Sequence, residues 1–314
     1  MFDFYRNSCT IHDMVTHFPA MDEVHGALAS DRFLRAAEAA SHSSALDAAI
    51  AIMHTGTHRG AVLVPGCPVG EVPPTPQTTQ GVHKPDRISE RTLLGAAMRL
   101  GEPVGFAQEH GGDIVQDLYP LASSVGRQLS TSSGVELAFH TETAFHPHRP
   151  RFLLLLCLRG DPDAATTLCS VDDIVALLPP ATVDILRQPR FRCGVDESFG
   201  AGSAWVTNPA PVIGEEADGI LALTFDGELT FGTDARAEAA IAEVNQAIGH
   251  ARTTVTLRTG DLLIVDNHRA VHGRSPFTAR FDGSDRWLQR TFVVTSLAPS
   301  ADERVDRIIT SRFD

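Results

Sequence analysis

The segment VELAFHTETAFHPHRPRFLLLLCL (residues 135–158) consists of two strand-like runs separated by a short proline-containing stretch. Successive side chains of a strand point to opposite faces. In the first run, residues 135–142, we therefore predict that His140 and Glu142 point the same way, about 6.6 Å apart along the strand. The second run, residues 152–158, is apolar throughout and has the length of a strand. The segment thus predicts β structure in which an imidazole and a carboxylate can converge on one ion.

Short strand-like runs dominate the chain from about Val104 onward. Each is bounded by Gly, Pro, Asn or Asp, as is typical of strands that end in turns. Besides the segment above, they are VGFA, DIVQDLY, FRCGV, GILALTF, TTVTLRT, DLLIVDN and WLQRTFVVTS. Two helical inserts interrupt them, VDDIVALLP to VDILRQ and DARAEAAIAEVNQAIG. We therefore predict a mainly β fold with flanking helices, a β-sandwich or double-sheet jelly roll, and not a doubly wound parallel sheet.

The N-terminal third differs from the remainder of the chain. Residues 21–54 and 89–101 are rich in Ala and Leu at helical spacing, which predicts helices. Between them, residues 67–86 contain too many prolines for regular structure and predict a loop, either a lid over a site or a static surface loop. Because no clean linker is present, residues 1–314 are predicted to form a single domain, with the helical part (about 1–101) packed on the β core.

Composition excludes several classes of protein. Hydrophobic residues make up 43% and charged residues 21% of the chain, which is typical of folded globular proteins. The formal net charge of −13 argues against nucleic acid and anionic membranes as partners. No apolar run approaches the roughly 18 residues that span a bilayer. The N-terminus lacks a signal-peptide layout, and the five cysteines form an odd, widely spaced set. We therefore expect free thiols and a cytoplasmic location.

A third metal ligand is expected from the segment GDLLIVDNHRAVHGRSPF, residues 260–277. Its apolar strand breaks at Asp-Asn and delivers His268 and His272. Either histidine can complete a two-histidine, one-carboxylate triad with His140 and Glu142, the arrangement found in non-haem Fe(II) oxygenases. A histidine and a glutamate two residues apart are a weak signal alone, since a strand histidine is often simply hydrogen-bonded. The two other histidines of the first segment, His146 and His148, are interpreted as exposed or supporting residues.

Two blocks together carry a family resemblance. VELAFHTETAFHPHRPRFLLLLCLRGDPDAATTL and VDNHRAVHGRSPFTARFDGSDRWLQRTFV resemble the clavaminate synthase-like Fe(II)/2-oxoglutarate-dependent oxygenases. The likeness is closest to the branch that hydroxylates free amino acids, such as the arginine and asparagine β-hydroxylases. It implies a double-stranded β-helix, or distorted jelly roll. It also implies that Fe(II) is held by His140, Glu142 and His272, with 2-oxoglutarate and O2 as co-substrates, and that His268 is a structural neighbour.

The resemblance also implies a site for 2-oxoglutarate. Arg286, fourteen residues after His272, matches the arginine that holds the co-substrate carboxylate. Thr167 is the best match to the assisting threonine, and Thr166 is the alternative because the Thr-Thr repeat blurs the register. In DRWLQRTF, Arg286 and Arg290 share one strand face, and two inward arginines are costly without anions to pair with. We assign Arg290 to the substrate α-carboxylate; surface ion pairing is the alternative.

Further substrate contacts are expected around the metal. In GFAQEHGGDIVQDLYP, the side chain of Gln108 or of Glu109 can line the amino-acid pocket. Ser130 and Ser133 of QLSTSSG can bind the substrate amine. Glu142 can also bind the amine, through its non-ligating oxygen. The aspartate of LTFDGEL can contact a polar substrate side chain, although Asp-Gly also favours a hairpin turn. These candidates are Gln108, Glu109, Ser130, Ser133, Glu142 and Asp226.

The expected function is Fe(II)- and 2-oxoglutarate-dependent hydroxylation of an unactivated C–H bond, at Cβ or Cγ of an L-amino acid. Arginine, lysine or asparagine is the expected substrate, with succinate and CO2 as co-products. The same chemistry can instead give desaturation, cyclisation or double hydroxylation. A zinc hydrolase on the same triad lacks a catalytic base at zincin spacing. A non-catalytic jelly-roll binding module does not require Arg286 and His272 at the family spacing. The sequence does not fix the oligomeric state.

Overall fold

The computed structural model describes residues 28–56, 58–79, 84–200, 203–216 and 219–313. The start of the first predicted helix and Cys9 lie outside the described residues. The α-helices are α1 (Asp31–Ala40), α2 (Ser44–Thr55), α3 (Ile88–Met98), α4 (Val171–Leu177), α5 (Pro180–Leu186), α6 (Glu197–Gly200) and α7 (Ala235–Ala251). The strands are β1 (Ala61–Val64), β2 (Glu102–Phe106), β3 (Gln116–Leu118), β4 (Leu137–His140), β5 (Phe152–Arg159), β6 (Thr166–Ser170), β7 (Phe191–Cys193), β8 (Ile213–Glu215), β9 (Leu221–Leu223), β10 (Thr230–Gly232), β11 (Thr253–Val255), β12 (Leu262–Asp266), β13 (Ala270–Arg274), β14 (Trp287–Val294), β15 (Arg304–Val305) and β16 (Ile308–Ile309).

Two sheets form the centre of the fold. The larger has the order β1-β12-β5-β14-β2-β16-β15, with β3 also paired to β14. The smaller has the order β11-β6-β13-β4. Pairing is antiparallel throughout, except between β16 and β2. Two short ladders, β7 with β10 and β8 with β9, lie outside these sheets. The prediction of a mainly β fold with flanking helices, a distorted jelly roll, is confirmed.

The alternation of side chains along β5 explains its uninterrupted apolar sequence. Leu154 and Leu156 belong to a core shared with the N-terminal helices. Leu153 and Leu155 belong to a second core, together with Leu168 of the smaller sheet. Because the strand is buried on both faces, neither face selects polar residues. The larger sheet therefore separates a helix-facing core from the core inside the jelly roll.

Helices cover the outer faces of both sheets. On the larger sheet, α3 lies against β14 and β5, and α2 lies against β1. On the smaller sheet, α4, α5 and α7 enclose a third core that includes Cys169 of β6 and Val271 of β13. The organisation of residues 1–314 as one domain stays a prediction, and the packing of α3 on the larger sheet supports it.

The structure bears on two expectations from the sequence, which concern membrane-spanning segments and the cysteines. Among the helices of the described residues, none combines the length and the apolar character needed to cross a membrane. The cysteines within the described ranges are unpaired thiols: Cys67, Cys157, Cys169 and Cys193.

Candidate metal and substrate site

His140 and His272 lie directly opposite each other in the smaller sheet. They are register partners in the antiparallel pairing of β4 with β13. Their ring centroids are 4.4 Å apart. Two segments separated by 131 intervening residues thus bring their imidazoles together because the strands that carry them are hydrogen-bonded neighbours. The structure therefore brings together the two histidines that the sequence predicted as ligands.

Glu142 joins this pair from a turn, not from a strand. The prediction that residues 135–142 form one strand was wrong at both ends, because β4 spans only Leu137–His140. The Thr141 amide instead donates to the carbonyl of Phe225 over 2.7 Å, and Thr143 has a φ of 50°. The turn nevertheless directs the carboxylate inward. Glu142 Oε2 lies 3.1 Å from His272 Nε2 and 3.8 Å from His140 Nε2.

The three side chains fit a divalent metal ion. Each offers one ligand atom, and these atoms lie within 4.8 Å of one another. His140 Nδ1 is 2.7 Å from the carbonyl of Ala138, which fixes a proton on Nδ1 and leaves Nε2 free to bind a metal. Glu142 Oε2 is buried and makes no hydrogen bond of acceptable geometry, despite its proximity to His272 Nε2. Nitrogen and oxygen atoms directed at one point without hydrogen bonds are the expected donor set of a two-histidine, one-carboxylate site.

Charge around Glu142 keeps its carboxylate ionised. Burial alone would raise the pKa of Glu142, but Arg290 and the two imidazoles lower it well below the usual value. Burial and the nearby His140 lower the pKa of His272. An ionised carboxylate and a neutral imidazole are the protonation states that bind metal.

The other histidines of the two segments lie away from this triad. His268 Nδ1 is 3.1 Å from Glu216 Oε1 and 3.4 Å from Arg151 Nη1, consistent with a structural neighbour. His146 is buried, contrary to the exposed alternative, and packs on Phe106 with ring centroids 4.9 Å apart. His148 lies 3.3 Å from a carboxylate oxygen of Glu303.

A cavity of about 200 Å³ adjoins the triad. Charged side chains surround it, most of them buried or half-buried and two of them, Glu197 and Glu228, exposed; apolar side chains from both sheets form its walls. The cationic residues are Arg274, Arg286 and Arg290; the acidic ones are Glu109, Glu142, Asp196, Glu197, Asp226 and Glu228. This separation of charges suits a small zwitterion that carries a further polar group.

Arg286 is a buried cation without an acidic partner. Its Nη2 donates to Thr166 Oγ1 over 3.3 Å, and among the described residues no carboxylate lies within ion-pair distance of it. Burial lowers the pKa of Arg286 to about 10, so the guanidinium stays charged. A buried guanidinium is costly without an anion. Its position therefore suits the carboxylate of a ligand.

The structure selects between the two threonines of the repeat. Thr166 lines the cavity beside Arg286. Thr167, the favoured candidate, is paired with Gly273 in the strand register and points to the opposite face of β6. Neighbouring residues of a strand face opposite ways, so only one of the two threonines can face the cavity. The placement therefore favours Thr166 for the contact with 2-oxoglutarate.

Arg290 links the metal ligand to the substrate end of the cavity. Its Nη1 donates to Glu142 Oε1 over 2.9 Å, and its Nη2 donates to Glu109 Oε1 over 3.1 Å. Its Nε donates to Gln116 Oε1 over 2.8 Å. Burial would lower the pKa of Arg290, but the carboxylates of Glu109 and Glu142 raise it. No motif or spacing pointed to Gln116, because its role depends on the pairing of β3 with β14, which places it opposite Arg290.

The remaining substrate candidates divide into two groups. Glu109 and Ser130 line the cavity. Gln108 instead donates from Nε2 to the carbonyl of Ser311, away from the cavity. Ser133 is buried outside the lining, and its carbonyl accepts from the amide of Phe277.

Asp226 caps a turn and also lines the cavity, and its contact with a substrate side chain stays a prediction. Its Oδ1 accepts hydrogen bonds from the amides of Glu228 and Leu229, at 2.8 and 2.9 Å, as in a capped turn. It also lines the cavity and forms a β-bridge with His140. Burial raises the pKa of Asp226, and His140 opposes the shift. Two further acidic residues, which the sequence analysis did not select, line the cavity together with Asp226. They are Asp196 and Glu228.

The described part of the proline-rich segment, residues 67–79 and 84–86, is bonded to other loops and strands of the fold. Thr75 Oγ1 donates to the carbonyl of Asp285 over 2.6 Å, and Tyr119 Oη donates to the carbonyl of Thr78 over 2.8 Å. Its described part does not line the cavity. These bonds support the loop before Arg286. The cavity is instead lined by residues 128–130 and 196–199, and an ion pair between Arg127 and Glu197 connects these two segments.

A jelly roll that carries two histidines and one carboxylate at a single point is the arrangement of the non-haem iron oxygenases. The family model described as "Taurine catabolism dioxygenase TauD, TfdA family" matches residues 43–292. The chain belongs to this family.

Two relatives and two solved structures indicate the branch. The chain is 40% identical to the L-asparagine oxygenase of Streptomyces coelicolor, over 77% of this chain and 73% of that one. It is 38% identical to the L-lysine 3-hydroxylase of Catenulispora acidiphila, over 82% and 74%. A structure of asparagine oxygenase in complex with Fe(II), 2S,3S-3-hydroxyasparagine and succinate superposes with a TM-score of 0.83 at 35% identity, over 90% and 91% of the two chains. The oxygenase OrfP in complex with Fe and α-ketoglutaric acid gives 0.80 at 30% identity, over 91% and 92%.

Proposed function

We propose that this chain is an Fe(II)- and 2-oxoglutarate-dependent hydroxylase of an L-amino acid, acting at Cβ or Cγ. One observation carries the proposal. The triad of His140, Glu142 and His272 opens on the same small cavity as two buried arginines. One has no acidic partner among the described residues, and the other contacts the metal-ligand carboxylate. The two relatives named above, an asparagine oxygenase and a lysine 3-hydroxylase, and the asparagine oxygenase structure that contains 3-hydroxyasparagine support it.

The triad would hold the iron through His140 Nε2, His272 Nε2 and Glu142 Oε2. When bound, Fe(II) with 2-oxoglutarate and O2 supplies an oxidant that replaces a C–H hydrogen by hydroxyl, with succinate and CO2 as co-products. The protein supplies position and a dry environment, because reactants held in the correct geometry react far faster than free ones. Leu155 and Leu288 line the cavity and keep water from its inner wall.

Arg286 would bind the distal carboxylate of 2-oxoglutarate. A guanidinium offers two parallel N–H donors that match a carboxylate. Thr166 Oγ1, already 3.3 Å from Arg286 Nη2, would add a hydroxyl to the same carboxylate. Arg274 raises the positive potential there, and the backbone carbonyls of Ser132 and Val135 accept its own donors.

Arg290 would bind the substrate α-carboxylate, and Glu109 would accept from the substrate amine. Glu109 Oε2 is buried without a hydrogen-bond partner, which leaves it free for an ammonium group. Arg290 already bonds to Glu109, so the two residues form a pair complementary to the two charges of an amino acid. Ser130 lies in the same lining.

The acidic end of the cavity would bind the substrate side chain. Asp226 contributes a carboxylate with one oxygen committed to the turn, and Asp196 and Glu228 lie beside it in the lining. Carboxylates attract a cation more strongly than they attract a neutral amide. Among arginine, lysine and asparagine, the charges therefore favour arginine or lysine.

The cavity and the cysteines support proposals about the size of the substrate and the location of the protein. The substrate is a small molecule that fits a cavity of about 200 Å³. The unpaired cysteines support a reducing, cytoplasmic location.

Formation of succinate tests the proposal. The protein is incubated with Fe(II), 2-oxoglutarate, O2 and ascorbate, and each free amino acid is added in turn. We expect arginine or lysine to stimulate succinate formation, with a product that gains one oxygen atom by mass spectrometry. Loss of two hydrogens would indicate desaturation or cyclisation, and gain of two oxygen atoms would indicate double hydroxylation. Succinate formation that does not depend on Fe(II), or that no amino acid stimulates, would overturn the proposal.

A further inference from the structure

Glu142 occupies a turn in which its own backbone has no strand neighbour to fix it. The residue before it, Thr141, is bound to Phe225, and the residue after it, Thr143, has a left-handed φ of 50°. Buried amide and carbonyl groups require partners. The group that holds the Glu142 backbone therefore determines where its carboxylate points.

A single side chain takes both backbone groups. Asn267 Oδ1 accepts from the Glu142 amide over 2.6 Å, and Asn267 Nδ2 donates to the Glu142 carbonyl over 3.1 Å. Nδ2 also donates to the carbonyl of Pro150 over 2.9 Å, at the end of the same turn. The carboxamide thus pairs with Glu142 as a neighbouring strand would, and it holds both ends of the segment that carries the carboxylate.

Asn267 itself is held rigidly. It is 0% exposed and directly follows β12, which is paired on both sides, with β1 and with β5. Its amide donates to the carbonyl of Arg151 over 2.9 Å. It lies five residues before His272 in the connection from β12 to β13. The segment that runs from the end of β12 into β13 therefore supplies one ligand of the triad and positions another.

The chemistry of asparagine is required at this position. Only a carboxamide of this length offers one acceptor and two donors in a fixed plane. Aspartate would direct a second acceptor at the carbonyls of Glu142 and Pro150, and a hydrocarbon would leave all three backbone groups without partners.

We propose that Asn267 is a positioning residue for metal binding, which fixes Glu142 Oε2 toward the imidazoles of His140 and His272. This inference rests on the proposed function, since it assumes that the triad binds iron. It concerns a residue that does not line the cavity. Removing a hydrogen-bond partner that orients a metal ligand typically weakens metal binding about 10- to 100-fold.

Binding of Co(II) alone to the metal-free protein tests the inference without turnover. We expect Asn267→Asp to raise the Co(II) dissociation constant about 10- to 100-fold and to alter the visible absorption bands of the bound ion. Asn267→Ser, which introduces no charge, should weaken binding in the same range. Thr182→Val is the matched control, because it removes a partly buried 2.7 Å hydrogen bond to Glu243 in the helical layer away from the site. It should lower the melting temperature and leave the Co(II) affinity unchanged.

Each other outcome decides against the inference. If a folded Asn267 variant binds Co(II) as tightly as the unmodified chain, Asn267 does not position the ligand. The same holds if both Asn267 variants fail to fold, or if Thr182→Val weakens Co(II) binding equally, because the role is then structural. If the unmodified chain binds no Co(II), the proposed function itself fails, which distinguishes that failure from a failure of this inference alone.

Discussion

Arg290 donates a 2.9 Å hydrogen bond to Glu142 Oε1, the oxygen beside the one that faces the two imidazoles. The residue proposed for the substrate carboxylate is therefore in direct contact with the residue proposed for the metal. Both side chains are buried, so solvent screens their interaction little. Binding of a substrate carboxylate to Arg290 therefore changes the electrostatic environment of Glu142, the proposed metal ligand.

Arg290→Gln should therefore impair two properties together. Loss of the cation removes the partner of a substrate carboxylate and leaves Glu142 and Glu109 as buried charges without it. We expect the substrate KM to rise by the equivalent of about 2–5 kcal/mol. The dissociation constant for Co(II) should change as well, because Glu142 Oε1 loses its donor. Steady-state kinetics and metal titration measure the two effects. A rise in substrate KM with unchanged metal affinity would show that the contact with Glu142 is incidental.

Arg286→Gln should affect 2-oxoglutarate alone. Loss of a charged hydrogen-bond partner costs about 1.5–3 kcal/mol, which corresponds to a rise in the KM for 2-oxoglutarate of roughly 10- to 150-fold. The KM for the amino acid should change little. Arg280→Gln is the control, because Arg280 lies in the preceding loop and pairs with Asp161 outside the cavity. Equal effects of Arg286→Gln on both substrates would contradict the division of roles between Arg286 and Arg290.

The two threonines of the repeat provide an internal comparison. Thr166→Val removes the hydroxyl 3.3 Å from Arg286 with little change of shape, and we expect the KM for 2-oxoglutarate to rise about fivefold, the equivalent of roughly 1 kcal/mol. Thr167→Val changes a side chain on the opposite face, and its effect should stay within roughly twofold. If Thr167→Val has the larger effect, the register of β6 differs from the one described.

Much of the fold and the strand of His140 could be predicted because they depend on local patterns. Turn residues bound the short strands, and the strand β5 is apolar because it is buried on both faces. His140 occupies a strand recognisable from its own sequence, whereas the strand that carries His272, β13, was not predicted, and the family resemblance selected His272 over His268. Pairing of those two strands then suffices to bring the imidazoles together. The β structure and its segregation from the N-terminal helices followed from composition and periodicity in the same way.

The remaining features depend on long-range pairing. β4 ends early because Thr141 bonds to Phe225, far away in sequence, and no local signal marks that contact. Adjacent threonines on a strand differ only in the face they occupy, so Thr166 and Thr167 cannot be separated without the register. Gln116 and Asn267 are neutral amides without motif or charge, and their roles arise from the partners that the sheets bring to them.

Asp226→Asn should alter the preference for substrate charge. Asparagine keeps an oxygen that can accept from the Glu228 and Leu229 amides, so the turn is retained. Loss of the negative charge should raise the KM for arginine or lysine by roughly 10- to 150-fold, the equivalent of about 1.5–3 kcal/mol. The KM for a neutral side chain such as that of asparagine should change far less. Kinetics on both kinds of substrate provide the measurement, and a uniform rise for charged and neutral amino acids would indicate that Asp226 serves only the turn.

Stability should fall in mild acid because His146 is buried in its neutral form. Burial, followed by the nearby His148, lowers the pKa of His146 to about 3. Its ring packs on Phe106 and Phe313, and its Nε2 has no hydrogen-bond partner. A histidine whose pKa is lowered on folding binds fewer protons in the folded state than in the unfolded state. Its contribution to stability is therefore lost as the pH falls below the unfolded value of about 6.5.

The expected loss from this residue is about 2 kcal/mol between pH 7.5 and pH 5, in the free energy of unfolding. Urea unfolding of the metal-free protein at the two pH values measures it. His146→Phe keeps an aromatic ring in the cluster of Phe106 and Phe313 and removes the titrating group. Between pH 7.5 and pH 5, the free energy of unfolding of this variant should therefore fall by about 2 kcal/mol less than that of the unmodified protein. Because other buried histidines titrate equally in both proteins, the difference between the two decreases isolates His146. Identical decreases would mean that His146 is protonated to the same extent in the folded and unfolded chains.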